Sequence, residues 1–126
     1  MKDPNEVSGA IVDSAIQVHS ALGPGLLESA YLTCLTFELR ERGHDVRAQV
    51  ALPVVYKGIE LPLGYRVDLI VDEIVLVEIK TVASLLPVHE AQLLTYLKLS
   101  GRRLGLLLNF HVTLMRDGIK RMVNQL

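Results

Sequence analysis

The sequence predicts a mixed α/β (α+β) domain, and three observations carry that prediction. Apolar residues follow a helical period up to about residue 42 and a period of two from residue 46 to residue 80. A further helical stretch, Pro87–Ser100, then leads into the continuous apolar run Leu104–Phe110. Such a run suggests a strand buried on both faces of a sheet. Finally, half of the 126 residues are hydrophobic and 21% are charged. That supplies a core and excludes a disordered chain. No linker, repeat or low-complexity tract divides the sequence, so residues 1–126 are expected to form one domain.

Taken in order, Val7, Ala10, Ile11, Ala15, Val18 and Leu22 share one face of a first helix, about Asn5 to Leu22, which Gly23-Pro24-Gly25 breaks. A second helix, about Leu26 to Arg42, is apolar over most of its circumference and is expected to be largely buried. Gly43 closes it, and Arg40 and Arg42 suit the negative end of its dipole. Val46–Val50 alternates, but Pro53 limits it to an edge or a bulge. Pro53–Lys57, Gly58 and Ile59–Leu63 read as strand, turn and strand, followed by the β-branched runs Tyr65–Val71 and Ile74–Lys80. After Leu104–Phe110, the segments Val112–Met115 and Ile119–Val123 are expected to add a last short strand or hairpin around Asp117-Gly118. The expected order is α-α-β-β-β-β-α-β-β, a mixed sheet with helices on its faces.

Composition excludes several function classes. Thirteen basic residues against fourteen acidic ones leave a net charge of −1, so global charge does not argue for nucleic-acid binding, although a local patch could support it. With no Trp, four Tyr and two Phe, a broad stacking platform for single strands is not expected. Cys34 is the only cysteine, which excludes an internal disulfide and a cysteine-held metal cluster, and it reads as a core residue. No apolar run approaches the roughly 20 residues of a membrane helix, and the first residues lack a secretory pattern. The expected compartment is the reducing cytoplasm.

Chemistry concentrates at Asp68, Glu78 and Lys80. In the run Ile74–Lys80, Glu78 and Lys80 share one face, and charges at the end of an apolar strand are costly to bury without partners. If Tyr65–Val71 and Ile74–Lys80 pair as a hairpin, a two-residue loop would put Asp68 on the wrong face. A three-residue connection, Asp72-Glu73-Ile74, puts it directly opposite Glu78. Two carboxylates about 5 Å apart repel, and a hard dication such as Mg²⁺ or Mn²⁺ relieves the repulsion through oxygen ligands. The Ile79 carbonyl would add another oxygen. Lys80 would orient or deprotonate an attacking water, or stabilise charge on a phosphate. The ordinary alternative is a surface salt bridge between Glu78 and Lys80.

Asp68 followed by Glu78-Ile79-Lys80 resembles the D…(D/E)xK signature of the PD-(D/E)xK nucleases. Gly25-Leu26-Leu27-Glu28-Ser29-Ala30-Tyr31 resembles the G-x-x-E-x-x-Y motif of the GxxExxY family in that superfamily. Gln92-Leu93-Leu94-Thr95-Tyr96 resembles the Q-x-x-x-Y motif of RecB-like nucleases. The resemblance spans roughly Asn5 to Phe110. It implies a restriction-endonuclease-like mixed central sheet flanked by helices. It also implies a metal-dependent nuclease in which Glu28 joins the metal site as a ligand or water-orienting group. Gln92 and Tyr96 would then contact substrate or catalytic groups. His89 shares their helix face, Arg66 shares the nominal face of Asp68, and both are further substrate-contact candidates. Tyr31 is a candidate for the same role, although a core position with a bonded hydroxyl is its ordinary reading. Lys98, Arg102, Arg103, Arg116, Lys120 and Arg121 are the candidates for a nucleic-acid rim.

The expected function is therefore hydrolysis of phosphodiesters in nucleic acid, DNA first, with Mg²⁺ or Mn²⁺. The competing class is a catalytically silent nucleic-acid-binding or assembly module of the same fold. A third reading is a toxin, defence or repair accessory whose protein partner supplies specificity. The high apolar content also leads us to expect a homodimer and no membrane partner.

Overall fold

The computed structural model describes residues 2–125. Helix α1 (Pro4–Leu22) starts where Asp3 Oδ1 accepts the Asn5 N–H at 2.9 Å, with Pro4 preset for the first turn. It is followed by α2 (Glu28–Glu41), β1 (Val46–Ala51), β2 (Val54–Tyr56), β3 (Ile59–Leu61), β4 (Arg66–Val71), β5 (Val75–Lys80), α3 (Pro87–Ser100), β6 (Leu104–Asn109), a 3-10 turn (Met115–Gly118) and β7 (Ile119–Val123). No helix among the described residues is long and apolar enough to cross a membrane.

Five strands form one mixed sheet in the order β1-β4-β5-β6-β7. The β1–β4, β4–β5 and β6–β7 pairs are antiparallel, and β5 and β6 are parallel, joined through α3. On one face, α1 and α2 bury Ile11, Ala15, Tyr31, Leu35 and Leu39 against Leu69, Val77, Ile79, Leu106 and Leu108. On the other, α3 buries Leu93, Tyr96 and Leu97 against Ile70, Leu76 and Leu107. Each such fully buried Leu or Ile contributes roughly 1.5–3 kcal/mol of transfer free energy. β6 is buried along its whole length, as its continuous apolar run predicts. Gly105 in that strand leaves room for Leu93, so a Cβ there would meet the leucine side chain at 3.1 Å. This close seat fixes the turn of α3 that carries Gln92.

Three expectations need correction. Five strands, not four, lie between α2 and α3: each of the five β segments forms a strand of its own, with β1 at the sheet edge that Pro53 allows. β2 and β3 form their own two-stranded arm, turned by Lys57 and Gly58 at φ +52° and +76°. Second, α2 is not largely buried. It packs through the stripe Tyr31, Leu35 and Leu39, and among the described residues nothing covers its outer side. Leu27 is 78% exposed and Phe37 66%, and Cys34 is half-buried. Third, of the last short strand or hairpin only the strand forms: Ile119–Val123 is β7, whereas Val112–Met115 is not a strand. The chain instead tightens into the 3-10 turn, where a Cβ on Gly118 would collide with the Asn109 carbonyl oxygen.

Candidate active site

The site grows out of the β4–β5 hairpin. Leu69 pairs with Val77, Ile70 with Leu76 and Val71 with Val75, across the connection Asp72-Glu73-Ile74. Of the two connections weighed from the residues, this is the three-residue one, and it sets Asp68 opposite Glu78. Beyond Leu69 and Val77, side chains take over from the ladder. Glu78 Oε1 accepts the Asp68 N–H at 2.9 Å, and Asp68 Oδ2 accepts the Ile79 N–H at 2.7 Å. Each carboxylate is thus pinned by the main chain of the other strand. The two acids point to the sheet side on which α3 lies, since Ile70 and Leu76, of the same strand parity, pack against that helix.

Burial makes this pair electrostatically expensive. Glu78 is 5% exposed, and desolvation, then the charges of Asp68 and Glu28, push its carboxyl up to about 7. The Asp68 N–H and Lys80 only partly oppose that rise. Burial also raises Asp68 above the usual carboxylate range, against the Ile79 N–H and Lys80. Glu28, exposed in the first turn of α2, is raised by partial desolvation and then by Asp68, with Lys80 opposing. Lys80 Nζ stands 3.8 Å from Glu78 Oε2, at the outer limit of an ion pair. Among the described residues it is the one cation paired into this three-carboxylate cluster.

The α3 candidates separate. Tyr96 is buried on the side of the sheet to which Asp68 and Glu78 point. Burial, then the charges of Glu78, Tyr65 and Asp68, raise its phenol, and Gln92 opposes. His89 is turned to its own helix start, where Nδ1 accepts the Leu86 N–H at 2.9 Å, so that nitrogen serves as a cap. Among the described residues Arg66 pairs with no carboxylate, and it donates to the Gln49 carbonyl at 3.2 Å at the exposed end of β4. Tyr31 is a correction to the substrate-contact expectation. It is fully buried, stacks on Phe110 with ring centroids 4.5 Å apart, and its hydroxyl donates to the Gly23 carbonyl while accepting the Leu26 N–H. A side chain spent on holding the Gly23-Pro24-Gly25 turn touches no substrate. It does fix the turn that launches Glu28.

Sequence reasoning missed two residues. Asn109 pairs beside Lys80 across β5–β6 and is almost completely buried. Its Oδ1 accepts from the Val82 and His111 N–H groups, and its Nδ2 donates to the Val82 carbonyl, so it locks the chain as it leaves Lys80. An amide ending the apolar run Leu104–Phe110 was the available signal. Tyr65 is the other, tilted against Tyr96 at 6.3 Å between centroids. Its place as the first residue of a β-branched run carried no such signal.

Among the described residues, no three His, Cys, Asp or Glu side chains close on a common point as a finished metal cage. The donor set nevertheless fits a hard dication. Mg²⁺ takes one or two carboxylates and completes its octahedron with water and phosphate oxygens. Two neighbouring carboxylates with raised pKa values and a third in charge range supply such a seat. A family model described as the PD-(D/E)XK nuclease superfamily matches residues 5–122. The chain belongs to the PD-(D/E)XK nuclease superfamily. The match runs from the first turn of α1 into β7 and includes every site residue described above. Nucleases of this superfamily usually use divalent metal ions, and the mixed sheet with flanking helices is consistent with a restriction-endonuclease-like fold. No curated protein matches the chain, and no solved structure does.

Proposed function

We propose that this superfamily member is a Mg²⁺- or Mn²⁺-dependent nuclease that hydrolyses phosphodiesters, with DNA as the first substrate to test. The observation that carries the reading is the buried Asp68–Glu78 pair with Lys80 beside it, two carboxyls that burial holds above their usual range in spite of their main-chain hydrogen bonds and the lysine. Asp68 and Glu78 would hold the ion, with Glu28 and the Ile79 carbonyl completing the protein's share. A bound ion would supply Lewis-acid polarisation of the phosphate and ease deprotonation of the attacking water. Lys80 Nζ, held near Glu78, would orient that water or balance charge on the phosphate. Asn109 would keep Lys80 in place through the Val82 segment. Gln92 and Tyr96 would line the approach, with Arg66 and the free Nε2 of His89 as outlying contacts to the nucleic-acid backbone. Within the superfamily, the Gly25-Leu26-Leu27-Glu28-Ser29-Ala30-Tyr31 and Gln92–Tyr96 motifs support a place among GxxExxY proteins with RecB-like character.

The test is cleavage of single-stranded and duplex DNA and RNA with Mg²⁺ or Mn²⁺. Asp68→Ala and Glu78→Ala should lose metal binding and cleavage together, whereas Lys80→Ala should keep metal binding and lose cleavage. The second reading, a silent binding module, is favoured by the open ligand set and the net charge of −1. Metal and nucleic-acid binding with no turnover on any of these substrates would select it.

A further inference from the structure

A groove of about 330 Å³ lies between α3, Val54 at the start of β2 and Tyr65 just before β4. It is lined by Tyr65, Tyr96, Gln92, Val54, Val88 and Ala91, among others. We infer that this groove seats the base of an unpaired nucleotide whose phosphate lies at Asp68, Glu78 and Lys80, so that the substrate presented to the site is a single-stranded or locally unpaired segment. The inference rests on the nuclease reading and sharpens its substrate class.

Three features point to a base as the occupant. The groove lies on the carboxylate pair's side of the sheet, because Tyr96, which forms part of it, packs with Ile70 and Leu76, of the same strand parity as Asp68 and Glu78. Charge is divided between the two halves: no Lys, Arg, Asp or Glu lines the groove, while the charged groups stand outside it at Lys80 and the acids. A nucleotide divides the same way, into an anionic phosphate and a neutral, flat-faced base. The lining also matches a base in detail. Tyr65 is 47% exposed and offers a ring face, and its tilt of 59° to Tyr96 leaves the two phenols as adjoining walls, not as a closed stack. Gln92 places an amide, both donor and acceptor, among apolar neighbours, where it can read a base edge. A base still paired in a duplex has both faces stacked and its edge occupied, so only an unpaired one can enter. The aromatic poverty of the sequence agrees with one base being held here, not a run of stacked bases.

Two measurements test this apart from catalysis. Deoxyadenosine, which carries no phosphate, is titrated into the metal-free protein and amide shifts are followed by NMR. Shifts confined to Tyr65, Val88, Gln92, Tyr96 and their neighbours are expected. Binding of a 2-aminopurine-labelled single strand is then compared with binding of the duplex of the same sequence in Mg²⁺. The single strand should bind more tightly. Tyr65→Ala and the groove-filling Ala91→Phe, both at exposed positions, should weaken it roughly fivefold or more while leaving Mg²⁺ affinity unchanged. Equal binding of both strand forms, nucleoside shifts outside the groove, no shifts at all, or variants that alter only oligomeric state would overturn the assignment. Cleavage with a duplex preference would overturn it while sparing the nuclease reading. Nucleoside binding in a protein that cuts nothing would sustain the groove and remove the catalysis.

Discussion

The two ends of the β4–β5 hairpin hold the same chemistry in opposite states. At the turn end, Asp72 accepts from His44 Nδ1 at 2.6 Å and the Asp45 N–H at 2.9 Å, with Lys2 Nζ at 3.2 Å. Glu73 is held by Arg47 and Arg102. Burial works to raise Asp72, but His44, the Asp45 amide and Lys2 together bring its carboxyl below the usual range. Arg47 and then Arg102 lower Glu73. At the open end, Asp68, Glu78 and Glu28 share one loosely placed ammonium, and all three are raised. A carboxylate surrounded by cations is part of the scaffold. A buried carboxylate without enough of them is a candidate for a ligand that the chain does not carry, because perturbed acids gather at functional sites.

That contrast breaks in measurable ways. The largest effect should fall on turnover. Lys80→Ala and Asp68→Asn are each expected to lower single-turnover cleavage about 10³-fold or more, while Asp72→Asn leaves it unchanged. Equal losses at both ends would erase the distinction. Stability should respond in the reverse sense. Asp72→Asn, which strips the charge from a nearly buried paired group, should destabilise by about 1–3 kcal/mol in urea unfolding at pH 7. The effect should fade as pH falls through the ordinary aspartate range, because a lowered folded-state pKa contributes stability only above it.

Glu78→Gln should do the opposite in metal-free protein. Folding raises this pKa from 4.5 to about 7, so its favourable contribution is full below about 4.5 and lost as pH rises through about 7. The glutamine keeps an acceptor for the Asp68 N–H and removes the charge. A gain on the order of 1–2 kcal/mol is expected at pH 8 and none at pH 4. A stability loss at pH 8 would mean that the charge is well compensated after all. The smallest effect belongs to Glu73→Gln, whose partners sit at an exposed turn; thermal unfolding should shift by no more than about 1 kcal/mol and less in high salt.

Much of this geometry was legible in the residues. The three-residue hairpin loop, the facing of Asp68 and Glu78, the bounds of α3 and the double burial of β6 all follow from strand parity and apolar runs, which are local signals. Other features were not legible, for reasons of tertiary packing. The apolar outer side of α2 looked like core because a helical wheel does not show which neighbours exist. Tyr31 and Glu28 are three residues apart on one face, yet one is sealed in the core and the other is exposed at the helix start. The second task of His89, capping its own helix through Nδ1, is not shown by the face it shares with Gln92 and Tyr96. Asn109 and the groove beside Tyr65 depend on contacts between distant segments that no spacing rule encodes.

The central claim is that the open end of the hairpin is an unsatisfied seat for a dication. Its most direct test is the titration of the Glu78 carboxyl, followed by carbon-detected NMR, first without metal and then in saturating Mg²⁺. The account predicts a midpoint near 7 that drops below 4.5 when the ion is present. A midpoint that stays near 4.5 in both conditions would contradict it.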